Sequence, residues 1–417
     1  MVVAAAAGTA TSAIQQKTCQ GQFLIVAKAK HCTSQRTIQM TDHKHVALFL
    51  DGTWNTVNDN TNVWRLKSLY DSGPDQKVYY SAGVGTAKGE KYTGGLFGFG
   101  IDEEVLNAYE WLVENFEEGS RIFVFGFSRG AFTARSLAGF IAKCGLLKPG
   151  SPLSLKQLYE RYRAGNAPSI LALQNNPPNM TREEQWLLKY SRKQPVYFQG
   201  VWDTVGELGV PLPFLPHVSP GSFAFLETDL RINESFAYHA MAVDEHREAF
   251  KPTLWKYPDT QSFAPRTLAQ VEQRWFTGAH ANVGGGYDDD LLPQTPLKWI
   301  MERAQTHGLR FRDSVVLDAG ATSCPVHDSL KEMAWGVYAA FHQPYYRPIS
   351  VTTGGATINE TIDVSVFDRW RADETYRPTN LIDWAARVKL DPGTVRDHVL
   401  AADGSLLGGV PVEPTAP

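Results

Sequence analysis

The sequence predicts an α/β protein, a mostly parallel sheet flanked by helices, with helical and loop insertions forming a cap. Three observations carry this. Short runs such as HVALFLD (45–51), RIFVF (121–125) and PVYFQGVW (195–202) are apolar almost throughout, as strands buried on both faces require. Segments with helical spacing separate them. Each cluster of reactive residues follows directly on a predicted strand, and parallel sheets carry their chemistry at the carboxyl ends of their strands.

Taken in order, residues 1–44 read as an N-terminal extension of uncertain order, with one short strand signal at 22–28. The strand at 45–51 ends in a turn-like stretch, Asp51-Gly52-Thr53-Trp54-Asn55. A second strand signal, Val78 to Ser81, precedes a glycine-rich loop over 83–100. A helix is predicted over 102–116, where Asp102, Glu103 and Glu104 suit its positive end and Val105, Tyr109, Leu112 and Phe116 share one apolar face. After the strand 121–125 another helix runs to a stop at Gly145. A polar, mostly helical stretch near 151–194 and a Pro-rich apolar stretch over 208–226 read as cap insertions. A helix over 232–244, a strand over 272–277 and helices over 293–309 and 330–341 follow. Residues 45–400 are thus expected to form one domain, and 401–417 a loose tail rich in Gly and Pro.

Composition narrows the class. The chain has 417 residues, 43% hydrophobic and 20% charged, and a formal charge of 40 − 44 = −4, with no basic block of the kind that marks nucleic-acid binding. Cys19, Cys32, Cys144 and Cys324 form no Cys-x-x-Cys pair. Cys19 and Cys32 would pair if oxidised, but free thiols in a reducing compartment are the simpler reading. The N-terminal MVVAAAAGTATSA lacks the basic and Leu-rich regions of a signal peptide, and no run approaches the ~18 apolar residues of a membrane helix. The expectation is a soluble protein, cytoplasmic in the producing cell, that meets membranes only peripherally.

A serine hydroxyl needs a base and an exposed position to act as a nucleophile. Gly126-Phe127-Ser128-Arg129-Gly130 lies between the strand 121–125 and a helical stretch, with glycines two residues before and after the serine. A sharp strand-to-helix turn needs that spacing, because its flanking positions are crowded. Ser128 is therefore the expected nucleophile, and the helix start behind it offers N–H groups and a positive dipole end to an oxyanion.

Acid and base should follow in the order Ser…Asp/Glu…His. His280 follows the strand signal and lies among glycines in Gly278-Ala279-His280-Ala281-Asn282-Val283-Gly284-Gly285-Gly286. His239 and His246 fall on or beside the predicted helix, and His217 in the apolar stretch. Asp203 ends the strand at 195–202 and would fix the imidazole tautomer, with Asp244 as the competing acid. The oxyanion hole should pair the Arg129 amide with that of Gly52 or Thr53. Leu212, Phe214, Leu215 and Phe223 would form a lid or acyl-chain site, or else a core-packed connection. Asp51-Gly52-Thr53 echoes the Asp-x-Asp-Gly-Thr of haloacid-dehalogenase-like phosphatases, but Phe49 stands where their nucleophilic aspartate would be. Asp288-Asp289-Asp290 would suit a cation, although a turn role fits better, and no metal or cofactor is expected.

FLDGTWN (49–55), GFSRGAFTAR (126–135), GVWDTVG (200–206), DEHR (244–247), FTGAHANVGGGY (276–287) and YRPTNL (376–381) together resemble one family. It is the α/β-hydrolase family of uncharacterised proteins that includes the type VI secretion phospholipase effectors. The resemblance implies an α/β-hydrolase fold and a Ser–Asp–His esterase acting on phospholipid acyl esters. By match, Ser128, Asp203 and His280 take the triad roles. Carboxylesterase or thioesterase action on small soluble esters is the alternative, and a binding protein on a hydrolase fold a third. The partners implied are a lipid or other ester, and a secretion apparatus or immunity protein if the chain is a delivered effector.

Overall fold

The computed structural model describes residues 43–52, 55, 57–83, 96–175, 179–205, 236–257, 265–288, 290–332, 339–340, 342–351 and 356–407. The strand signal at 22–28 and the Pro-rich stretch 208–226 lie outside them.

Among the described residues the centre is an eight-stranded sheet. Its strands are β1 (His45–Leu50), β2 (Gln76–Ser81), β3 (Arg121–Phe127), β6 (Val196–Trp202), β7 (Phe236–Ala242), β8 (Val271–Phe276), β9 (Glu360–Ile362) and β10 (Val399–Leu400). The order is β10-β9-β8-β7-β6-β3-β1-β2, parallel everywhere except the β9–β10 pair. A separate ribbon pairs β4 (Leu146–Leu147) with β5 (Ser191–Arg192).

The apolar runs form strands because both faces are covered. On one face, Val46, Leu48 and Val124 pack with Val105, Tyr109 and Leu112 of α2 (Leu96–Asn115) and Leu137 and Ile141 of α3 (Arg129–Cys144). On the other, Phe49, Phe125 and Phe198 pack with Val63 and Leu66 of α1 (Asn62–Leu69) and Leu297 and Ile300 of α8 (Gln294–Thr306). Phe49 stacks on Phe125 at 4.9 Å, and Phe125 meets Phe198 at 5.5 Å. Truncating one such ring to alanine costs about 3–5 kcal/mol. A third cluster, including Trp275, Ile362, Phe367 and Trp384, covers the β8–β9 side.

Helix α3 is buried from Gly130 to Cys144, held between the sheet and the helices that follow. It stops at Gly145, whose φ of 71° favours glycine and where a Cβ would lie 2.6 Å from the Arg192 carbonyl. The stretch 151–194 holds α4 (Leu155–Arg163), α5 (Ile170–Asn175) and α6 (Arg182–Tyr190), and the β4–β5 ribbon joins residues on either side of them. Capping boxes at Ser154/Gln157 and Thr181/Glu184 start α4 and α6. Tyr159 and Tyr162 of α4 pack on Phe140 of α3, so these helices thicken that flank.

An expected helix changes type. The segment predicted as a helix over 232–244 contains strand β7, Phe236–Ala242, in the middle of the sheet. Its Ala and Met residues are good helix formers, but β6 and β8 supply hydrogen-bonding partners on both sides, and that pairing overrides propensity. In the resulting ladder Trp202 pairs with Ala240, and Ala242 with Phe276.

Candidate active site

Strand register brings the reactive residues to one edge. Leu50 pairs with Gly126, Phe127 with Trp202, and Ala242 with Phe276. The residues just beyond these ends, Asp51, Ser128 and Asp203, therefore line the carboxyl edge of the sheet, with the loop to His280 beside them.

Ser128 sits between β3 and α3 with φ 57° and ψ −121°, in a backbone region that costs a non-glycine residue of order 1–3 kcal/mol. Its N–H donates to the Trp202 carbonyl (3.0 Å), which locks the turn to β6. The flanking glycines answer to space. A Cβ on Gly126 would lie 2.4 Å from the Gly130 carbonyl oxygen, and one on Gly130 only 2.1 Å from that of Leu50. Ser128 is 8% exposed.

Asp203 follows β6 with φ 39°, and its N–H donates to the Ala240 carbonyl at 2.7 Å. Its carboxylate is fully buried. Oδ1 accepts from the Ala242 N–H (3.0 Å) and Oδ2 lies 2.5 Å from His280 Nδ1. A carboxylate only accepts, so the imidazole proton belongs on Nδ1 and Nε2 is left as the acceptor. Arg347 forks onto the same carboxylate, Nη1 to Oδ1 at 2.6 Å and Nη2 to Oδ2 at 2.9 Å. Burial alone would raise the Asp203 pKa, but the Arg347 charge and His280 outweigh it and hold the carboxyl well below the usual range.

His280 starts α7 (His280–Gly284). Gly278 shapes the approach at φ 116°. The His280 N–H donates to Glu245 Oε2 at 3.2 Å. Phe127 lies 4.7 Å from the imidazole ring and Phe250 5.0 Å, centroid to centroid. A Cβ on Gly284 would fall 2.0 Å from the Phe127 ring, so the His280 loop lies directly on the residue that precedes Ser128. Burial lowers the His280 pKa, against the pull of Asp203.

The competing acid turns elsewhere. Asp244 Oδ2 accepts from the Gly278 N–H (2.7 Å) and from the Tyr376 hydroxyl (3.0 Å), steadying the loop that presents His280. His239 is a buried residue of β7. It accepts from the Thr204 N–H at 3.1 Å, and burial lowers its pKa to about 3. His246 meets Tyr345 and Tyr346.

Arg129 is the first residue of α3 and directly follows Ser128. The Gly52 N–H donates to Asp51 Oδ1 at 2.8 Å. Asp51 also accepts from the Thr61 hydroxyl (2.6 Å) and the Tyr80 hydroxyl (3.2 Å), so it builds the loop beside Ser128. Gly52 still borders the serine: a Cβ there would lie 3.5 Å from Ser128 Cβ. Thr53, His217, Leu212, Phe214, Leu215 and Phe223 lie outside the described residues. Asp290 serves a turn, accepting from Asn282 Nδ2 (2.8 Å) and the Leu292 N–H (2.9 Å). Among the described residues no group of three or more His, Cys, Asp or Glu is placed to hold a metal ion.

Sequence reasoning missed Arg347 and Glu245. Glu245 lies in the DEHR block, which is the signal that would have found it. It is buried, held by Arg247 and Ser329, and its carboxyl is lowered to about 2, where burial is outweighed by Arg247. Arg347, in YYRPI, carries no local signal at all.

The parallel sheet, the strained strand-to-helix turn at Ser128 and the loops at the carboxyl edge define an α/β-hydrolase fold. The chain belongs to the family described as "T6SS, Phospholipase effector Tle1-like, catalytic domain", whose family model matches residues 44–303. It is 32% identical over 304 residues to the uncharacterized protein YEL023C of Saccharomyces cerevisiae, a match that covers 66% of this chain and 42% of the yeast protein. It is similar to a solved uncharacterized protein from Pseudomonas aeruginosa, with a TM-score of 0.43 and 17% identity over 64% of this chain and 46% of that one. It is also similar to the Tle1 effector in a structure bound to the VgrG spike of the type 6 secretion system, with a TM-score of 0.31 and 18% identity over 59% and 51% of the two chains. Among the described residues no helix is long and apolar enough to cross a membrane.

Proposed function

We propose that this chain is a serine hydrolase that cleaves the acyl esters of phospholipids through an acyl-serine intermediate. The observation that carries the reading is the 2.5 Å contact between His280 Nδ1 and Asp203 Oδ2, beside the strained turn at Ser128. Membership in a family of phospholipase effectors supports the lipid substrate, and extends the reading to a secretion apparatus as a partner during delivery.

In this mechanism Ser128 Oγ attacks the ester carbonyl carbon as His280 Nε2 takes its proton. Asp203 stabilises the imidazolium through Nδ1. The Arg129 amide at the start of α3 holds the oxyanion, with the Gly52 or Thr53 amide as the second donor. The intermediate collapses, the C–O bond to the lysophospholipid breaks, and His280 gives its proton to the leaving oxygen. Water then attacks the acyl-serine, His280 takes a water proton, and the fatty acid leaves as the serine hydroxyl is restored.

The test is labelling by a fluorophosphonate probe together with hydrolysis of long-chain phospholipid vesicles and a short-chain aryl ester. Wild-type protein should be labelled at Ser128 and prefer vesicles. Ser128→Ala should lose labelling and several orders of magnitude of rate. No labelling of folded protein removes the enzyme reading, and a preference for the short ester moves the substrate to small soluble esters.

A further inference from the structure

Arg347 is fully buried, and its guanidinium makes four hydrogen bonds within the site. Besides the two to Asp203, Nη1 donates to the Ala242 carbonyl (2.9 Å) and Nη2 to the Phe250 carbonyl. One side chain thus joins the end of β6, the end of β7, and the residue whose ring edges onto His280. The segment that delivers it is itself anchored, the Tyr345 N–H donating to the His246 carbonyl at 2.8 Å.

We propose that Arg347 is a positioning residue for His280: its fork fixes the plane of the Asp203 carboxylate, and its charge keeps the imidazole from binding a proton too tightly. The inference rests on the triad reading above and deepens it.

Two features carry it. Arg347 Nη2 and His280 Nδ1 share one acceptor, Asp203 Oδ2, at 2.9 and 2.5 Å. The guanidinium therefore competes with the imidazole for the same oxygen and draws off part of its negative potential. The charges around the ring also balance. Asp203 accepts from Nδ1 and Glu245 from the His280 N–H, while Arg347 pairs with the first and Arg247 with the second. Arg247 also lies 3.6 Å over the Phe250 ring. Two buried carboxylates without cations would hold the imidazole protonated and useless as a base. With two guanidiniums facing them, the base stays neutral to lower pH. Lysine cannot take over the fork, since an ammonium is a point donor and cannot span both oxygens in a fixed plane.

The experiment compares wild type, Arg347→Met and Arg347→Lys. The His280 ring is titrated by NMR in protein labelled with 15N-histidine, its signal identified by its loss in His280→Gln. The pH profile of kcat/KM on a short-chain ester and a thermal melt are recorded beside it. In Arg347→Met the His280 midpoint should rise by about 1 pH unit or more. The acid limb of kcat/KM should rise with it, and the plateau should fall by less than the roughly 10²–10⁴-fold that general-base catalysis contributes. Arg347→Lys keeps the charge but not the fork, so its midpoint should stay near wild type while its plateau falls. A folded Arg347→Met with a wild-type midpoint overturns the proposal. If that variant does not fold, Arg347→Lys decides, and a wild-type plateau in it overturns the proposal. The titration needs no turnover: absence of fluorophosphonate labelling would remove the triad reading alone, and the midpoint would still test Arg347.

Discussion

His280 Nδ1 lies 2.5 Å from Asp203 Oδ2, and Arg347 holds both oxygens of the same carboxylate. Asp203→Asn therefore disturbs two partners at once. It removes the acceptor that sets the tautomer, and kcat/KM should fall on the order of 10⁴-fold. It also leaves the Arg347 charge buried without its counter-ion, which should cost about 3–5 kcal/mol of stability. Turnover measured alongside urea unfolding checks both. A variant as stable as wild type would mean that the ion pair does not hold the edge together.

Asp244 should behave differently. Tyr376→Phe removes a buried hydrogen bond to its carboxyl and should destabilise the protein by about 1–2 kcal/mol. The pH midpoint of activity should not move, because Asp244 touches the Gly278 amide and not the imidazole. A pH–rate profile of this variant with a shifted acid limb would count against that assignment.

Ser128 adopts φ 57°, which glycine tolerates and alanine does not. Ser128→Gly should be more stable than Ser128→Ala by about 1 kcal/mol, with both inactive. Denaturant midpoints of the two variants decide it.

Gly130→Ala places a Cβ 2.1 Å from the Leu50 carbonyl oxygen. The first turn of α3 must then move off β1, costing about 1–3 kcal/mol and displacing the Arg129 amide. The rate of fluorophosphonate labelling should drop in parallel with the melting temperature. Wild-type labelling in this variant would show that the turn has slack.

Glu104 gives a stability effect with a definite sign. Burial raises its carboxyl to about 7, against the Ser81 hydroxyl and the Arg129 charge. The unfolded chain loses this proton near 4.5, whereas the folded protein keeps it until about 7. Between those values the folded state binds more protons, so this group's contribution to stability falls as pH rises. Glu104→Gln cannot lose a proton. Its melting temperature relative to wild type should therefore climb from pH 4.5 to pH 7 and then level off. A constant difference across that window would place the titration elsewhere.

Much of this architecture was legible because its signals are local. The runs at 45–51, 121–125 and 195–202 are apolar enough to read as buried strands, and β1, β3 and β6 lie there. The Gly126–Gly130 spacing reports a steric requirement of one turn. Strand β7 was not legible, because FAYHAMA has the composition of a helix and becomes a strand only between β6 and β8. Strands β9 and β10, three and two residues long, are too short to leave a periodic pattern.

By itself, then, the sequence determined strands β1, β3 and β6, the turn at Ser128, and the order in which an acid and a histidine follow it. Only the tertiary structure turned Asp203 rather than Asp244 toward the imidazole, engaged the Gly52 amide with Asp51, and brought in Arg347 from 144 residues beyond Asp203. The reason is physical. Strand burial and turn sterics act between neighbours in the chain, so they leave a pattern in it. A carboxylate's partner is chosen by distance in space, and parallel strands gather at one edge residues that the chain keeps far apart.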